Sequence, residues 1–575
     1  MRSLTHGATL NGDEVDFRVW APAQRTITLG LWRNSETRGD ISMRREGEDF
    51  VATVPAAPGD RYWYVPDDGL AVPDPVSRFL PGGVHGPTEI VDPAAFHWRV
   101  TAWRGLDLRE YVIYELHVGT FTPQGIFDSA IGKLEYLRQL GITVVEIMPV
   151  AAFPGKRGWG YDGASPYAVQ ANYGGPEGLK RFVDAAHALG IAVILDVVYN
   201  HLGPEGNYLP KFGPYFTSHH KTPWGDAVNY DSDGCEQVRR YAVENALYWI
   251  REYHLDGLRL DAVQTIKDDS PKHIVAEIQE RVQELARELN RKVCVIAETD
   301  ENDARHIRSQ QQGGYGLDAV WSDDFHHAVH GFFAGERQGY YQDFGDPQQI
   351  ARALRDGYVF QGEHFRFWNA PRGTSAADVP LPANVISLQN HDQVGNRAKG
   401  ERLTVLVPLG ARKLAAALLL LAPHTPLIFM GQEYDEAAPF QFFADFQAPA
   451  LKKAVSEGRR REFKAFNFEE VPDPEDPATF ERPKLTWANG PQNREMLAWY
   501  QRLLQLRKEC VTNGDRTAGA MYADGVLTMQ VPAKGPTLKV QAALQPGRAL
   551  PDEEDGWHEA LRANDDGYEV RVLVR

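Results

Sequence analysis

Short runs of aliphatic residues, each followed by polar residues, alternate with stretches of helical periodicity from about residue 111 onwards. Eight such runs occur: VIYELHVGTF, TVVEIMPV, AVILDVVYNH, GLRLDAV, VCVIAETD, AVWSDDF, VISLQNHDQVGN and TPLIFMGQE. Strands that alternate with helices form parallel sheets, and eight of them close a (β/α)8 barrel whose active site lies on the loops after the strands. The sequence therefore predicts an α/β fold with a TIM barrel over residues 98–511.

The segments on either side of the predicted barrel carry strand signals. Up to residue 97, the runs VDFRVWAP, ITLGLW and RYWYV are divided by turn residues, a pattern typical of a small β-sandwich. Residues 512–575 predict a C-terminal β-sheet domain. Within the barrel, residues 202–234 form an excursion longer than ordinary loops, and loops of that length are usually functional.

Some individual elements can also be predicted. Residues 112–121 are expected to form the first barrel strand, and the next helix is expected to start at a cap by Asp128 and to end at Gly141. A further helix is predicted over residues 176–190. The apolar run LAAALLLLAP is about half of the length that a membrane span needs, so it predicts a buried helix.

The composition indicates a globular protein that acts on a neutral substrate. The chain has 575 residues, 43% of them hydrophobic, which is enough for several domains. Its formal net charge of −17 disfavours nucleic acid or an anionic membrane as a partner. The three cysteines lack CxxC spacing, and the first residues lack the apolar core of a signal peptide, so a cytoplasmic location is expected.

Two charges interrupt the apolar run GLRLDAV. Arg259 and Asp261 are two residues apart, so they point to the same face of a strand. A structural ion pair explains them, because adjacent opposite charges partly compensate desolvation. The other explanation is a functional carboxylate at the mouth of the barrel, held by the arginine. These seven residues alone leave both explanations open.

Four segments together resemble the sequence signatures of the α-amylase family of glycoside hydrolases: DVVYNH, GLRLDAV, the AETD that ends at Asp300, and NHDQ. The resemblance implies that Asp261 is the nucleophile, that Glu298 is the proton donor, and that Asp392 stabilises the transition state. Retaining hydrolysis of an α-glucosidic bond needs two such carboxyl groups. It needs no metal or cofactor, and none is expected here.

The resemblance also implies a set of sugar-binding side chains in the cleft: Arg259, Gln264, His201, Tyr161, His391, Gln393 and Asn396. The two histidines could instead be hydrogen-bonded core residues, and Tyr161 could be a core aromatic rather than a platform for the sugar. Asp196 and Asn200 correspond to a region that supports a calcium ion in many amylases, but here they are expected to orient Arg259 and the barrel rim.

Two segments, SDDFHHAVH and NHDQVGNR, narrow the resemblance to members that hydrolyse the α-1,4 bond next to the terminal trehalose of maltooligosyltrehalose. Such an enzyme acts after maltooligosyltrehalose synthase. The resemblance implies that residues after the sixth strand line the leaving-group side, and the alternative is a packed helix start: Asp323, Asp324, Phe325, His326 and His327. A glucan branching enzyme, another α-glucan hydrolase such as a debranching enzyme, and a non-catalytic carbohydrate-binding barrel remain alternatives.

Overall fold

The computed structural model describes residues 4–33, 36–464, 471–511, 518–532, 536–552 and 555–575. Eight strands lie before the barrel, in two antiparallel sheets of order β1-β2-β6-β5 and β4-β3-β7-β8. Phe17 of β2 and Tyr62 of β7 pack with ring centroids 4.8 Å apart, so the two sheets form a sandwich. The strands are β1 Gly7–Asn11, β2 Glu14–Trp20, β3 Thr28–Arg33, β4 Glu36–Ser42, β5 Arg44–Glu46, β6 Asp49–Pro55, β7 Arg61–Val65 and β8 Thr88–Glu89.

Eight parallel strands close the barrel, which confirms the predicted (β/α)8 fold. The chain also forms three two-stranded hairpins between them. The barrel strands are β9 Ile113–Leu116, β10 Val144–Ile147, β13 Ala192–Val197, β16 Gly257–Leu260, β17 Cys294–Ala297, β18 Ala319–Trp321, β21 Asn384–Ser387 and β22 Thr425–Phe429. The hairpin strands are β11 Ala151–Ala152, β12 Ser165–Val169, β14 Phe216–Thr222, β15 Gly225–Val228, β19 His364–Phe365 and β20 Ala370–Pro371.

Helices follow the barrel strands and pack around them. The helices are α1 Val118–Phe121, α2 Phe127–Ile131, α3 Leu134–Leu140, α4 Gly175–Ala188, α5 Leu209–Phe212, α6 Cys235–Glu252, α7 Ile274–Leu289, α8 Asp324–Phe333, α9 Pro347–Asp356, α10 His391–Gly395, α11 Leu403–Leu406, α12 Leu409–Leu421, α13 Pro449–Lys464, α14 Pro477–Glu481 and α15 Pro491–Cys510. The excursion at 202–234 contains α5 and the hairpin of β14 and β15.

The first βα unit differs from its prediction in detail. The strand ends at Leu116, and the next residues form α1 instead of continuing it. The predicted single helix is two short helices, α2 and α3, and α3 does end at Gly141 in the left-handed region. Asp128 is not the N-cap of α2, because the helix begins at Phe127 and its N-cap is Ile126. The Asp128 carboxylate instead accepts two hydrogen bonds from Arg181 of α4.

The last strands form a five-stranded antiparallel sheet of order β23-β24-β25-β27-β26. They are β23 Gly519–Ala523, β24 Val526–Val531, β25 Leu538–Ala543, β26 His558–Asp565 and β27 Tyr568–Val574. The predicted boundary at residue 512 begins a stretch, 512–517, outside the described residues. Helix α12 is almost wholly buried, as predicted. No helix in the described part of the chain is long and apolar enough to cross a membrane.

A buried aspartate fixes the start of β16, the strand that carries Arg259. The Asp256 side chain is completely buried and accepts four hydrogen bonds. The donors are His187 Nε2 at 2.7 Å, Trp103 Nε1 at 2.7 Å, Arg291 Nη2 at 2.7 Å and the backbone N–H of Val193 at 2.9 Å. Burial alone would raise the pKa of Asp256, but the contacts with His187 and Arg291 lower it.

Replacing Asp256 with Ala should lower the free energy of unfolding by about 3–5 kcal/mol, because buried donors lose their only anion. Trp103→Phe removes one donor and should cost about 1.5 kcal/mol. Urea unfolding followed by tryptophan fluorescence measures both. The pKa of Asp256 is lower in the folded state than in the unfolded state. Its carboxylate therefore stabilises the fold at pH values above the unfolded-state pKa. The gap between wild type and Asp256→Ala should therefore shrink as the pH falls below about 4. Equal losses in the two variants would contradict this account.

Candidate active site

The buried guanidinium of Arg259 joins three carboxylates at the C-terminal ends of neighbouring strands. Its Nη1 donates to both oxygens of Asp196, at 2.9 and 2.8 Å, and to Asp261 Oδ1 at 2.9 Å. Its Nη2 lies 3.4 Å from Glu298 Oε2. The guanidinium also lies over the ring of Trp321, 4.4 Å from its centroid. One cation therefore holds Asp196 and Asp261 through hydrogen bonds from Nη1 and lies close to Glu298.

A strained turn brings Glu298 to this cluster. Ala262, directly after Asp261, has φ 40° and ψ 51°, a left-handed conformation that costs a residue with a side chain about 1 kcal/mol or more. In this turn the Ala262 N–H donates to Glu298 Oε2 at 2.7 Å. Burial raises the pKa of Glu298 to about 8, with Arg259 opposing the shift and Asp261 and Asp392 adding to it. These surroundings favour the protonated form of Glu298 at neutral pH.

Asp261 has a different environment. It accepts from Arg259 Nη1 and, at its other oxygen, from Asn200 Nδ2 at 3.0 Å. Both side-chain oxygens of Asp261 therefore accept a hydrogen bond. Asp392 lies on α10, which begins at the cap Asn390, and its side chain is 38% exposed, towards the cleft. Asn396 Nδ2 donates to Asp392 Oδ1 at 3.3 Å.

The predicted sugar platform is hydrogen-bonded into the same network. The Tyr161 hydroxyl donates to Asp196 Oδ2 at 2.5 Å and lies 2.8 Å from His391 Nε2. The Tyr161 ring is stacked on the His391 ring at a centroid distance of 5.2 Å. His201 contacts Asn200 Oδ1 at 2.8 Å and stacks on Trp224, whose side chain is half exposed.

A cavity rich in aromatic side chains, here called the aromatic cavity, extends from Asp392. Burial raises the pKa of Asp323 in its wall to about 7, and burial lowers the pKa of His327 well below its usual range. The wall thus has polar and aromatic side chains next to one another, as sugar-binding sites do. The lining residues are Asp300, Asp323, His327, Tyr340, Phe365, Phe367, Trp368, Arg372, Asp392, Gln393 and Asn396.

Comparisons with known proteins agree with this geometry. A model of the alpha amylase catalytic domain matches residues 117–224. A malto-oligosyltrehalose trehalohydrolase from Saccharolobus solfataricus is 47% identical over 88% of this chain and 87% of that protein. One from Arthrobacter ramosus is 44% identical over 94% of both chains. The crystal structure of a Salmonella typhimurium protein assigned to the alpha amylases has a TM-score of 0.92 and 41% identity, with 100% of both chains covered.

The chain belongs to the malto-oligosyltrehalose trehalohydrolase family. It is therefore a glycoside hydrolase of the α-amylase family, and the expected resemblance is confirmed at the level of the family. The closed barrel and the β-sheets on either side of it agree with the expected fold.

The structure does not bring Asp324, Phe325 and His326 to the aromatic cavity, which corrects their expected position. They form the packed start of α8, the alternative weighed for them. Asp324 is buried and binds Arg372 Nη1 at 2.7 Å and the backbone N–H of Val359 at 2.7 Å. Phe325 is buried in the core, and His326 contacts the Leu388 carbonyl at 2.6 Å. Of the five residues predicted after the sixth strand, Asp323 and His327 line the cavity.

Sequence reasoning missed most of the aromatic wall. Tyr340, Phe365, Phe367, Trp368 and Arg372 line the cavity but lie between barrel strands β18 and β21, outside the four signatures. The sequence segment HFRFWNAPR could have indicated this wall, because it contains several aromatic residues. In the structure, Phe367 lies in a hairpin and is exposed instead of packed in the core. Sequence reasoning also missed Trp224, another exposed aromatic residue in a hairpin.

The remaining predicted residue, Gln264, lies in a short 3-10 turn after Asp261, and its buried Oε1 accepts no hydrogen bond among the described side chains. Asp196 and Asn200 contact Arg259 and Asp261, as an orienting role requires. Among the described residues, one group of metal-ligating side chains has its ligand atoms within 4.8 Å of one another: His219, His220 and Asp269. This group includes neither Asp261, nor Glu298, nor Asp392.

Arg259→Lys should lower kcat/KM by about 100-fold, because a single ammonium cannot hold Asp196, Asp261 and Glu298 together and small misplacements at a reacting centre are costly. Arg239→Lys is the matched control. Arg239 also joins two carboxylates, Asp268 at 2.8 Å and Glu277 at 2.6 Å, but it contacts none of the three at the site. Steady-state kinetics on the two purified variants makes the comparison. A similar loss in both would contradict the role given to Arg259.

Proposed function

We propose that the protein hydrolyses the α-1,4-glucosidic bond next to the terminal trehalose of maltooligosyltrehalose and releases trehalose. The observation that carries the proposal is the aromatic cavity beside Asp392, next to a cluster in which Asp261 and Glu298 share one guanidinium. The names of the relatives support the same substrate. An α-glucan chain would lie across the barrel mouth, with its trehalose end in the aromatic cavity.

The reaction follows from the two carboxyl environments. The ionised Asp261 attacks the anomeric carbon, and Glu298 gives its proton to the departing oxygen of trehalose, so that a glycosyl-enzyme forms as the glycosidic bond breaks. The resulting Glu298 carboxylate then takes a proton from water. That water attacks the anomeric carbon, releases Asp261 and restores the protonated acid. Asp392 stabilises the oxocarbenium-like transition state through its negative charge and its contact with sugar hydroxyls.

The other polar residues of the cleft bind the substrate in this proposal. Tyr161 is the platform on which the sugar at the cleavage site stacks, and His201 and His391 lie beside it. These two histidines and Gln264 form hydrogen bonds with the sugar in this proposal. Gln393 and Asn396 serve the leaving-group side together with Asp323 and His327, since all four line the aromatic cavity. Trehalose is bent at its 1,1 bond, and the aromatic side chains that surround it on several sides would reject a straight maltose unit.

We place the enzyme in the cytoplasm, after maltooligosyltrehalose synthase, which makes the trehalose end of the substrate. The three cysteines are free, as a reducing compartment favours. The two-carboxylate chemistry uses no metal or cofactor. The acidic net charge of −17 agrees with a neutral glucan as the partner and with the absence of nucleic acid or membrane partners from this proposal.

Glu298→Gln should lower kcat by about 10²–10⁴-fold, because the amide cannot donate the proton. Asp261→Asn should lose more, since it removes the nucleophile, and both should keep the far-UV circular dichroism of the wild type. In the wild type, kcat/KM should fall as the pH rises through about 8, where Glu298 loses its proton. Near-wild-type turnover in either variant would overturn the assignment of that residue.

The substrate is tested by comparing a maltooligosyltrehalose with the maltooligosaccharide of equal length. The trehalose-ended substrate should have a kcat/KM higher by about 100-fold or more, because a buried site leaves polar groups unpaired when the wrong sugar occupies it. Trp368→Ala should narrow the gap, whereas Trp32→Ala in the N-terminal sandwich should leave it unchanged. Equal cleavage of both substrates would favour an amylase, and α-1,6 branches formed on amylose would favour a branching enzyme.

A further inference from the structure

Glu115 is a buried carboxylate under the active site that sequence reasoning did not single out. It lies on β9, which reads IYEL, and all four residues of the strand are buried. Its Oε1 is 2.5 Å from His391 Nδ1, and its Oε2 accepts the backbone N–H of His391 at 3.0 Å. One carboxylate therefore holds both the ring and the main chain of His391, the residue directly before Asp392.

The hydrogen bonds around the His391 ring favour one arrangement of protons, in which the Asp196 carboxylate is an acceptor. The Tyr161 hydroxyl has a single proton, which it donates to Asp196 Oδ2 at 2.5 Å. Its contact with His391 Nε2 at 2.8 Å then requires that the nitrogen be the donor. The other nitrogen, Nδ1, faces the Glu115 carboxylate and must also donate. Both ring nitrogens therefore carry a proton, and the ring is an imidazolium.

The charges that face His391 agree with this state. Burial alone would lower the pKa of His391, but Asp392 and Glu115 raise it to about 9, against a smaller opposing effect of Arg259. The titratable and charged groups that face the ring come from its own helix and from the elements packed against it: Glu115, His117, Glu146, Tyr161, Asp196, Arg259 and Asp392. Of these, Glu115 is the group that contacts Nδ1 of the ring.

We propose that Glu115 is a positioning residue, which holds His391 as an imidazolium and thereby fixes the Tyr161 platform and the negative environment of Asp392. The Tyr161 ring stacks on the His391 ring with an interplanar angle of 23°, and His391 Nε2 lies 3.5 Å from Asp392 Oδ1. A neutral His391 would leave the Tyr161 oxygen without a donor and Asp392 without its nearest cation. This inference rests on the proposed hydrolysis, because the platform and Asp392 act there.

The neighbouring strand supplies a matched control. Glu146 on β10 pairs in register with Glu115 and is equally buried. Neither of its side-chain oxygens has a hydrogen-bond partner among the described residues. Burial, together with the adjacent Glu115, raises the pKa of Glu146 well above its usual range. Glu146→Gln therefore removes a carboxyl group from the same depth of the barrel without removing a hydrogen bond to His391.

The test is the pH profile of kcat/KM on maltooligosyltrehalose for wild type, Glu115→Gln and Glu146→Gln. In Glu115→Gln the amide can still accept the His391 backbone N–H, but the anion is gone. The alkaline limb should move down by at least about one pH unit and become steeper, because His391 now loses its proton together with Glu298. Glu146→Gln should keep the wild-type profile. Glu115→Asp, which keeps the charge at a longer distance, should give an intermediate shift.

A second pair of variants separates positioning from stability. In a His391→Asn background, Glu115→Gln should have no further effect on the pH profile, since residues that act through one another are not additive. An unchanged alkaline limb in Glu115→Gln, or an equal shift in the His391→Asn background, would overturn the inference. A wild-type enzyme that released no trehalose would instead contradict the proposed function and leave the proton arrangement to be tested on the glucan that it does cleave.

Discussion

The active site depends on one buried cation among several acids. Arg259 is completely buried, and desolvation of a lone guanidinium at that depth would be prohibitive. Asp196 and Asp261 compensate it through hydrogen bonds, Glu298 lies close by, and the ring of Trp321 covers its face. The two explanations of GLRLDAV, a structural ion pair and a functional carboxylate, are therefore compatible. The ion pair that makes burial of Arg259 tolerable is also the contact that orients Asp261.

The second cation of the barrel interior, His391, extends this arrangement to the neighbouring strands. Glu115 on β9 contacts both the ring and the main chain of His391. Tyr161 links His391 to Asp196, which in turn binds Arg259. Five groups on different elements thus form one hydrogen-bonded layer beneath the cleft. Because these groups are linked by hydrogen bonds, a change of charge at one end of the network alters the proton positions at the other.

The sequence predicted the parts of the structure that repeat. Eight aliphatic runs with polar ends predicted the barrel, and their order placed Asp261, Glu298 and Asp392 on one rim. It did not predict the wall of the aromatic cavity, which is built by residues of an irregular segment around Phe367 and Trp368 that has no barrel periodicity. It also placed Phe325 and His326 in the cleft, because the direction in which side chains leave a helix start depends on tertiary packing, here the buried contacts of Asp324.

In the proposed reaction, the different roles of Asp261 and Glu298 follow from their different contacts with the guanidinium of Arg259. Asp261 accepts a 2.9 Å hydrogen bond from Arg259 and another from Asn200, one at each oxygen. Glu298 lies farther from Arg259, at 3.4 Å, and faces the charges of Asp261 and Asp392 in a dry site, which favour the neutral acid. The left-handed turn at Ala262 supplies Glu298 with one backbone donor, and this contact partly opposes the effect of burial because a hydrogen bond to a carboxylate oxygen favours the ionised form. In the proposed reaction, environment rather than residue type therefore distinguishes the nucleophile from the acid.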